Sequence, residues 1–225
     1  TNVRKDSPYI RYINRWNLEK KNPQAKVSEP KKTIVYWLEN SIPYELRDAV
    51  REGILSWNVA FESAGIKNAL VVKQMPDDAK WDPADVRYNT VRWMFQPGSG
   101  YAVGPSRANP YTGELYDADI RISADFVRGF YREQTEFVTP IIGPTTMDFE
   151  TEEPKEEFSS KMCMYGDHLR EEMASAWDIM TATGKIQGTD EELQDYIHKG
   201  LVDLILHEVG HTLGLRHNFK ASSIY

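Results

Sequence analysis

A single cysteine, Cys163, stands in the 225 residues, so no disulfide can form within the chain. That excludes the small disulfide-stapled scaffolds and leaves the redox compartment unmarked. No apolar run approaches the length of about 18 residues that a membrane-spanning helix needs, so no helical span is expected. Positive charge is in the minority: Lys plus Arg number 27 against 34 Asp plus Glu, a net charge of −7. An acidic body repels phosphate, which argues against a nucleic-acid partner. Histidine is scarce, with 5 residues, and none of the 7 methionines lies beyond Met180. The chain starts at Thr1 with no apolar signal core behind it, the pattern of a fragment or a processed chain.

What is present is ordinary for a folded domain. Hydrophobic residues make up 40% and charged residues 27%, enough apolar material for one large core. Charge is uneven. Residues 1–32 hold nine basic and three acidic residues, a net of +6, which leaves −13 for the remainder. This basic lead, broken by Pro8, Pro23 and Pro30, reads as a solvated arm or a segment that packs on the surface with one short helix. Cys163 reads as a buried, inert thiol. A thiolate reaching a metal is the sharper alternative, with nothing in the neighbouring sequence to favour it.

The apolar pattern predicts the elements. TIVYWL (33–38), ALVVK (69–73) and NTVRWMF (89–95) are β-branched and aromatic runs typical of buried strands. Between the first two, apolar positions from Leu46 to Ala64 recur at helical spacing, with Pro43 before them and Gly65 after. QPGSG (96–100) is a turn, YAVGPSR (101–107) and DADIRIS (117–123) are extended, and NPYTGEL between them reverses the chain. DFVRGFYREQTEF predicts a helix from 125, and the acidic 148–157 reads as a surface loop, with a calcium site as the sharper alternative. Asp167 is expected to cap a helix that ends near Gly184, with Leu169, Met173, Ala176, Trp177 and Met180 on one face. Thr189 with Glu192 forms a capping box for a further helix whose apolar face is Leu193, Ile197, Leu201, Leu204 and Ile205. The whole is an α+β or mixed α/β layer, with a large helix packed on a twisted sheet.

That last helix runs into HEVGHTLGLRH (207–217). His207 and His211 are four residues apart, so their imidazoles are about 40° apart around the axis and share a face. Two neutral imidazoles can share a tetrahedral zinc ion. Glu208 need not be a ligand and is free to take a proton from an activated water. Gly214 can adopt positive φ, stop the helix and turn the chain, which lets His217 return as a third ligand. Three protein ligands leave a fourth position open, the mark of a catalytic rather than a structural zinc. With 14 glycines and 5 histidines in 225 residues, chance supplies Gly214 about 6% of the time and His217 about 2%. His168 and His198 stand alone and read as ordinary surface or capping residues.

The long motif resembles the metzincin clan of zinc metallopeptidases. Beyond the clan, YINRWNLEKKNPQAKVSEPKKTIVYWL, SWNVAFESAG, WDPADVRYNTVRW, NPYTGEL and HEVGHTLGLRHNFKAS are similar to a bacterial family of large zinc-dependent metalloproteases. The resemblance implies a zincin-like N-terminal subdomain over 33–225, following the lead at 1–32 and carrying an insertion at about 124–166. It implies a mostly parallel sheet with an antiparallel edge strand, packed on a long helix and the active-site helix. It also implies Zn2+ on His207, His211 and His217, Glu208 as general base, a protein or peptide substrate, and a secreted, periplasmic or cell-envelope location. Metzincins carry a methionine turn after the third His; here the sequence shows only NFKASSIY beyond His217, so the expectation is a chain that stops short of that turn.

YAVGPSR is expected to be the edge strand above the metal, with Tyr101, Ala102, Val103 and Gly104 binding an extended peptide through its backbone. Gly104 would leave room for the approaching backbone, and Pro105 would end the ladder. The rival from another class is a non-catalytic zinc-binding or scaffold module with a vestigial site. An open coordination position favours the enzyme and four protein ligands favour the module.

Overall fold

A computed structural model describes residues 12–95, 102–136, 163 and 165–217. The first strand, β1 (Ile34–Leu38), alternates buried and half-buried positions, with Tyr36 and Leu38 inaccessible. A 3-10 turn (Tyr44–Leu46) leads into α1 (Arg47–Leu55) and α2 (Trp57–Ser63). The single helix expected here is thus divided at Ser56. The division is slight: Ser56 keeps helical dihedral angles, and its N–H still donates to the Glu52 carbonyl at 2.9 Å, to which its hydroxyl also donates at 2.8 Å.

Strands β2 (Leu70–Gln74) and β3 (Asn89–Met94) follow, then β4 (Ala102–Val103), β5 (Ser106–Ala108), β6 (Leu115–Ala118) and β7 (Ile120–Ser123). The main sheet has the order β2-β1-β3-β7-β4. Its first four strands are parallel, and β4 runs antiparallel to β7 at the edge, with Ala102 opposite Ile122. The mostly parallel sheet with an antiparallel edge is therefore present. YAVGPSR does not make one strand. It breaks at Gly104–Pro105, because proline has no N–H for the ladder, and β5 leaves to pair with β6 as a separate hairpin. DADIRIS breaks likewise, at Asp119, whose N–H donates to the Pro105 carbonyl at 3.0 Å and whose carboxylate accepts from Thr90 Oγ1.

Helix α3 (Asp125–Glu136) buries Phe126 and Val127. Helix α4 (Tyr165–Ala182) begins two residues before Asp167, which lies in its first turn and is not its cap. Tertiary contacts of Tyr165, described below, set that start. Helix α5 (Asp190–Thr212) opens on the expected capping box: the Thr189 hydroxyl accepts from the Glu192 N–H, and the Glu192 carboxylate accepts from the Thr189 N–H. The QPGSG turn, Tyr101, the acidic stretch 148–157 and the segment after His217 lie outside the described residues.

The core lies between the sheet and the α1–α5 pair. Val50, Ile54, Leu201, Leu204, Ile205 and Val209 are all inaccessible. The two helices touch at Gly53, where an added Cβ would sit 2.7 Å from Ile205 Cβ and 2.8 Å from the Val202 carbonyl oxygen. The basic lead, from Tyr12 on, is not a free arm, and its described part holds no helix. It bonds to the body at Arg15–Gly113 and Ser28–Gly65, and Trp16 Nε1 donates to the Thr212 carbonyl at 2.9 Å.

Gly53→Ala is expected to cost about 1–3 kcal/mol in chemical denaturation, since both clashing groups belong to a packed helix crossing. Gly200→Ala, whose Cβ would meet only the flexible end of Met173, is expected to cost less. Equal losses would overturn this reading of the helix contact.

Candidate metal centre

The site is built on the last turn of α5 and the chain reversal after it. Leu215 N–H donates to the Gly210 carbonyl and Gly214 N–H to the His211 carbonyl, each at 3.0 Å. With Gly214 at φ +99°, this is a Schellman ending. A side chain is excluded at Gly214 twice over, by its dihedral angle and by Asn14, whose carbonyl oxygen would lie 2.1 Å from a Cβ. The helix end is held from three sides. Trp16 takes the Thr212 carbonyl, and Trp57 Nε1 donates to the Leu206 carbonyl at 2.8 Å. The Thr212 hydroxyl donates to the Val209 carbonyl, so Tyr36 must donate to Thr212 Oγ1, at 2.6 Å.

This turn brings the three expected imidazoles together. His207 Nε2 lies 3.0 Å from His211 Nε2 and 3.1 Å from His217 Nε2. His211 Nδ1 is 3.1 Å from the Leu215 carbonyl. A carbonyl only accepts, so Nδ1 carries the proton and Nε2 keeps its lone pair for a metal. Burial, with the charges of His211 and His217, pushes the His207 pKa down to about 4, so that ring is neutral and ligand-competent at pH 7.

A fourth donor completes the cluster. Cys163 Sγ lies 3.4 Å from both His207 Nε2 and His217 Nε2, and the four donor atoms fall within 4.8 Å of one another. This residue was expected to be an inert thiol. No local pattern in the sequence marks it, since it sits 44 residues before His207, and tertiary structure alone brings it in. Two residues on, the Tyr165 ring stacks on His207 with centroids 3.9 Å apart, and its hydroxyl donates to Asp203. Burial raises the Cys163 thiol pKa, and the Glu208 charge adds to that rise.

The donor set fits zinc. A tetrahedral ion with the usual bond lengths has N···N edges of about 3.3 Å and N···S edges of about 3.6 Å, close to the four separations of 3.0, 3.1, 3.4 and 3.4 Å that centre on His207 and Cys163. Glu208 gives a second test of fit. It is inaccessible, and neither carboxylate oxygen has a hydrogen-bond partner among the described residues. Burial raises its pKa to about 7, opposed by the Gly104 backbone. A buried carboxylate without a partner is costly unless something polar completes it.

Of the residues expected to bind substrate, Ala102 and Val103 form the edge strand, and Tyr101 lies outside the described residues. Gly104 follows them, and the backbone that approaches it is that of α5: an added Cβ would sit 2.5 Å from the Glu208 carbonyl oxygen. The expectation that Gly104 makes room for a substrate backbone is corrected accordingly. The remaining histidines stay apart from the centre; His198 Nε2 lies 2.9 Å from the exposed Glu52 carboxylate.

A mostly parallel sheet with an antiparallel edge strand, and three imidazoles converging beside a buried glutamate at the end of α5, fit a metzincin-like fold. A family model described as Met-zincin matches residues 189–225, from the cap of α5 through the histidine motif. No curated protein and no solved structure matches the chain.

Zinc is expected to bind with one ion per chain and to raise the thermal midpoint, since a ligand held only by the native state stabilises it. In His211→Ala both the stoichiometric zinc, read by metal analysis, and the midpoint shift are expected to collapse. Full zinc occupancy in that variant would remove His211 from the ligand set.

Proposed function

We propose that this chain is the catalytic part of a zinc endopeptidase, with His207, His211 and His217 holding the metal and Glu208 acting as general base. The observation that carries this is Glu208. Its carboxylate is inaccessible and makes no hydrogen bond of ordinary length among the described residues, the nearby Gly104 backbone only easing its charge, one residue from a histidine of the cluster and beneath the edge strand. A purely structural metal has no use for that group, and burying it costs stability that another side chain would not. Zinc held at this centre supplies a Lewis acid for the scissile carbonyl and brings the pKa of a water to about 7.

The residues divide the remaining work. Glu208 takes a proton on its carboxylate and hands it to the leaving amine. The Gly104 backbone, packed against α5 at Glu208, ties the edge strand to the base, so movement of one is felt by the other. Strand β4 pairs with β7 along one side, and its other side suits an extended peptide, which would add by main-chain hydrogen bonds with little regard for sequence. Tyr101, Ala102, Val103 and Gly104 would supply those groups. A secreted, periplasmic or cell-envelope setting goes with such an activity.

One observation favours the second reading, a non-catalytic zinc module. With Cys163 counted, the centre has four protein donors, the composition of a closed structural site.

Glu208→Gln separates the two. On the enzymatic reading it retains zinc and loses peptidase turnover by about 10²–10⁴-fold, the usual worth of a general base. Parent-level turnover in the zinc-loaded variant would refute the role of Glu208. A zinc-loaded chain that cleaves no peptide substrate even with Cys163→Ala, which removes the fourth donor, would favour the module.

A further inference from the structure

We infer that Cys163 is a protein ligand of the metal, a thiolate that occupies the fourth coordination position and must leave it before the centre can act on a substrate. This rests on the three-histidine metal centre proposed above and concerns how that centre is closed.

The argument is geometric. Cys163 Sγ is equidistant, at 3.4 Å, from His207 Nε2 and His217 Nε2. It therefore bridges two of the imidazoles and does not merely pack against one ring, and with His211 all four donor atoms lie within 4.8 Å of one another. Sulfur, with a longer bond to zinc than nitrogen, should stand farther from the nitrogens than they stand from each other. Against His207 and His217 it does, at 3.4 Å from each where the two nitrogens stand 3.1 Å apart. The position is also built. Tyr165 covers His207 with its ring at an interplanar angle of 4° and ties its hydroxyl to Asp203 one turn earlier on α5. The first turn of α4 is thereby docked on the metal-binding helix, and Cys163 is carried to the centre just ahead of it. A buried thiol with only van der Waals neighbours would explain none of this.

The chemistry balances simply. When the S–metal bond forms, the thiol proton passes to solvent; when the bond breaks, the sulfur takes a proton back. No oxidant or reductant is needed. While the bond holds, hydrolysis lacks its open position, so Glu208 and an intact set of histidines can coexist with four protein donors. The two functional readings become two states of one centre.

The test uses the full 225-residue chain loaded with cobalt(II) in place of zinc. A coordinated thiolate gives an intense charge-transfer band in the near ultraviolet, which three imidazoles do not. The parent is expected to show the band. Cys163→Ala is expected to bind one cobalt without it, and circular dichroism will confirm that it is folded. Independently of any variant, alkylation of the single thiol in the parent is expected to slow by about tenfold or more on zinc loading, since the metal holds the reactive thiolate. A parent that takes up one cobalt without the band, or a thiol alkylated equally fast with and without zinc, overturns the proposal alone. A parent that takes up no cobalt overturns it together with the histidine assignment beneath it.

Discussion

Two imidazoles one helical turn apart can meet a third only if the helix ends within a turn of the second and the chain doubles back at once. Everything around the centre serves that constraint. Gly214 supplies a dihedral angle that other residues avoid, and the carbonyls freed at the helix end must find donors. The indole of Trp16 reaches the last of them from the start of the described chain, nearly two hundred residues away. The opposite face of α5 is held by apolar burial against α1 and the sheet, so the end of the helix cannot shift without disturbing the core. Rigid packing on one face and a sharp stop at one end together aim the histidines.

The same burial creates the electrostatic problem of the molecule. Glu208 lies on the inaccessible side of α5, and its carboxylate meets no partner among the described residues. An apolar residue there would stabilise the fold, because a buried carboxylate loses its hydration with nothing in return. The helix accepts this cost beside the histidines and beneath the edge strand. Gly104 belongs to the same arrangement: its missing side chain lets β4 sit directly on the backbone of Glu208. A glycine that reads as room for a substrate is, in three dimensions, room for the chain's own helix.

Cys163 and Tyr165 show how a site can be composed of residues that no local pattern joins. The stacked Tyr165 ring and its bond to Asp203 dock α4 on α5, and docking one helix on the other places the sulfur. A centre with three histidines and a nearby base invites hydrolysis; a centre with a fourth protein donor resists it. Both descriptions apply to this centre, because the same last turn of α5 faces the edge strand on one side and Cys163 on the other.

Much of this was legible in the residues alone, for identifiable reasons. Periodicity marks an element when its own burial dictates the residues, so β1, β2, β3 and the apolar face of α5 could be read directly, and so could the capping box at Thr189. The spacing of His207, Glu208, His211, Gly214 and His217 is local, and one helical turn plus one glycine suffice to bring the three imidazoles together. Other features depend on partners distant in sequence. A continuous apolar spacing does not mark the slight division of its helix at Ser56. Proline at 105 sends half of an extended run into a second sheet. The lead segment, which its charge marks as an arm, docks through Asn14 and Trp16 on the end of α5 and through Arg15 on the β5–β6 hairpin. Cys163 has no periodic neighbour, and only the packing of α4 against α5 carries its sulfur to the imidazoles. The sequence by itself determined the histidines that one helix and its turn can align; the tertiary structure decided the approach of Cys163 and the burial of Glu208, because those follow from which helices and strands are pressed together.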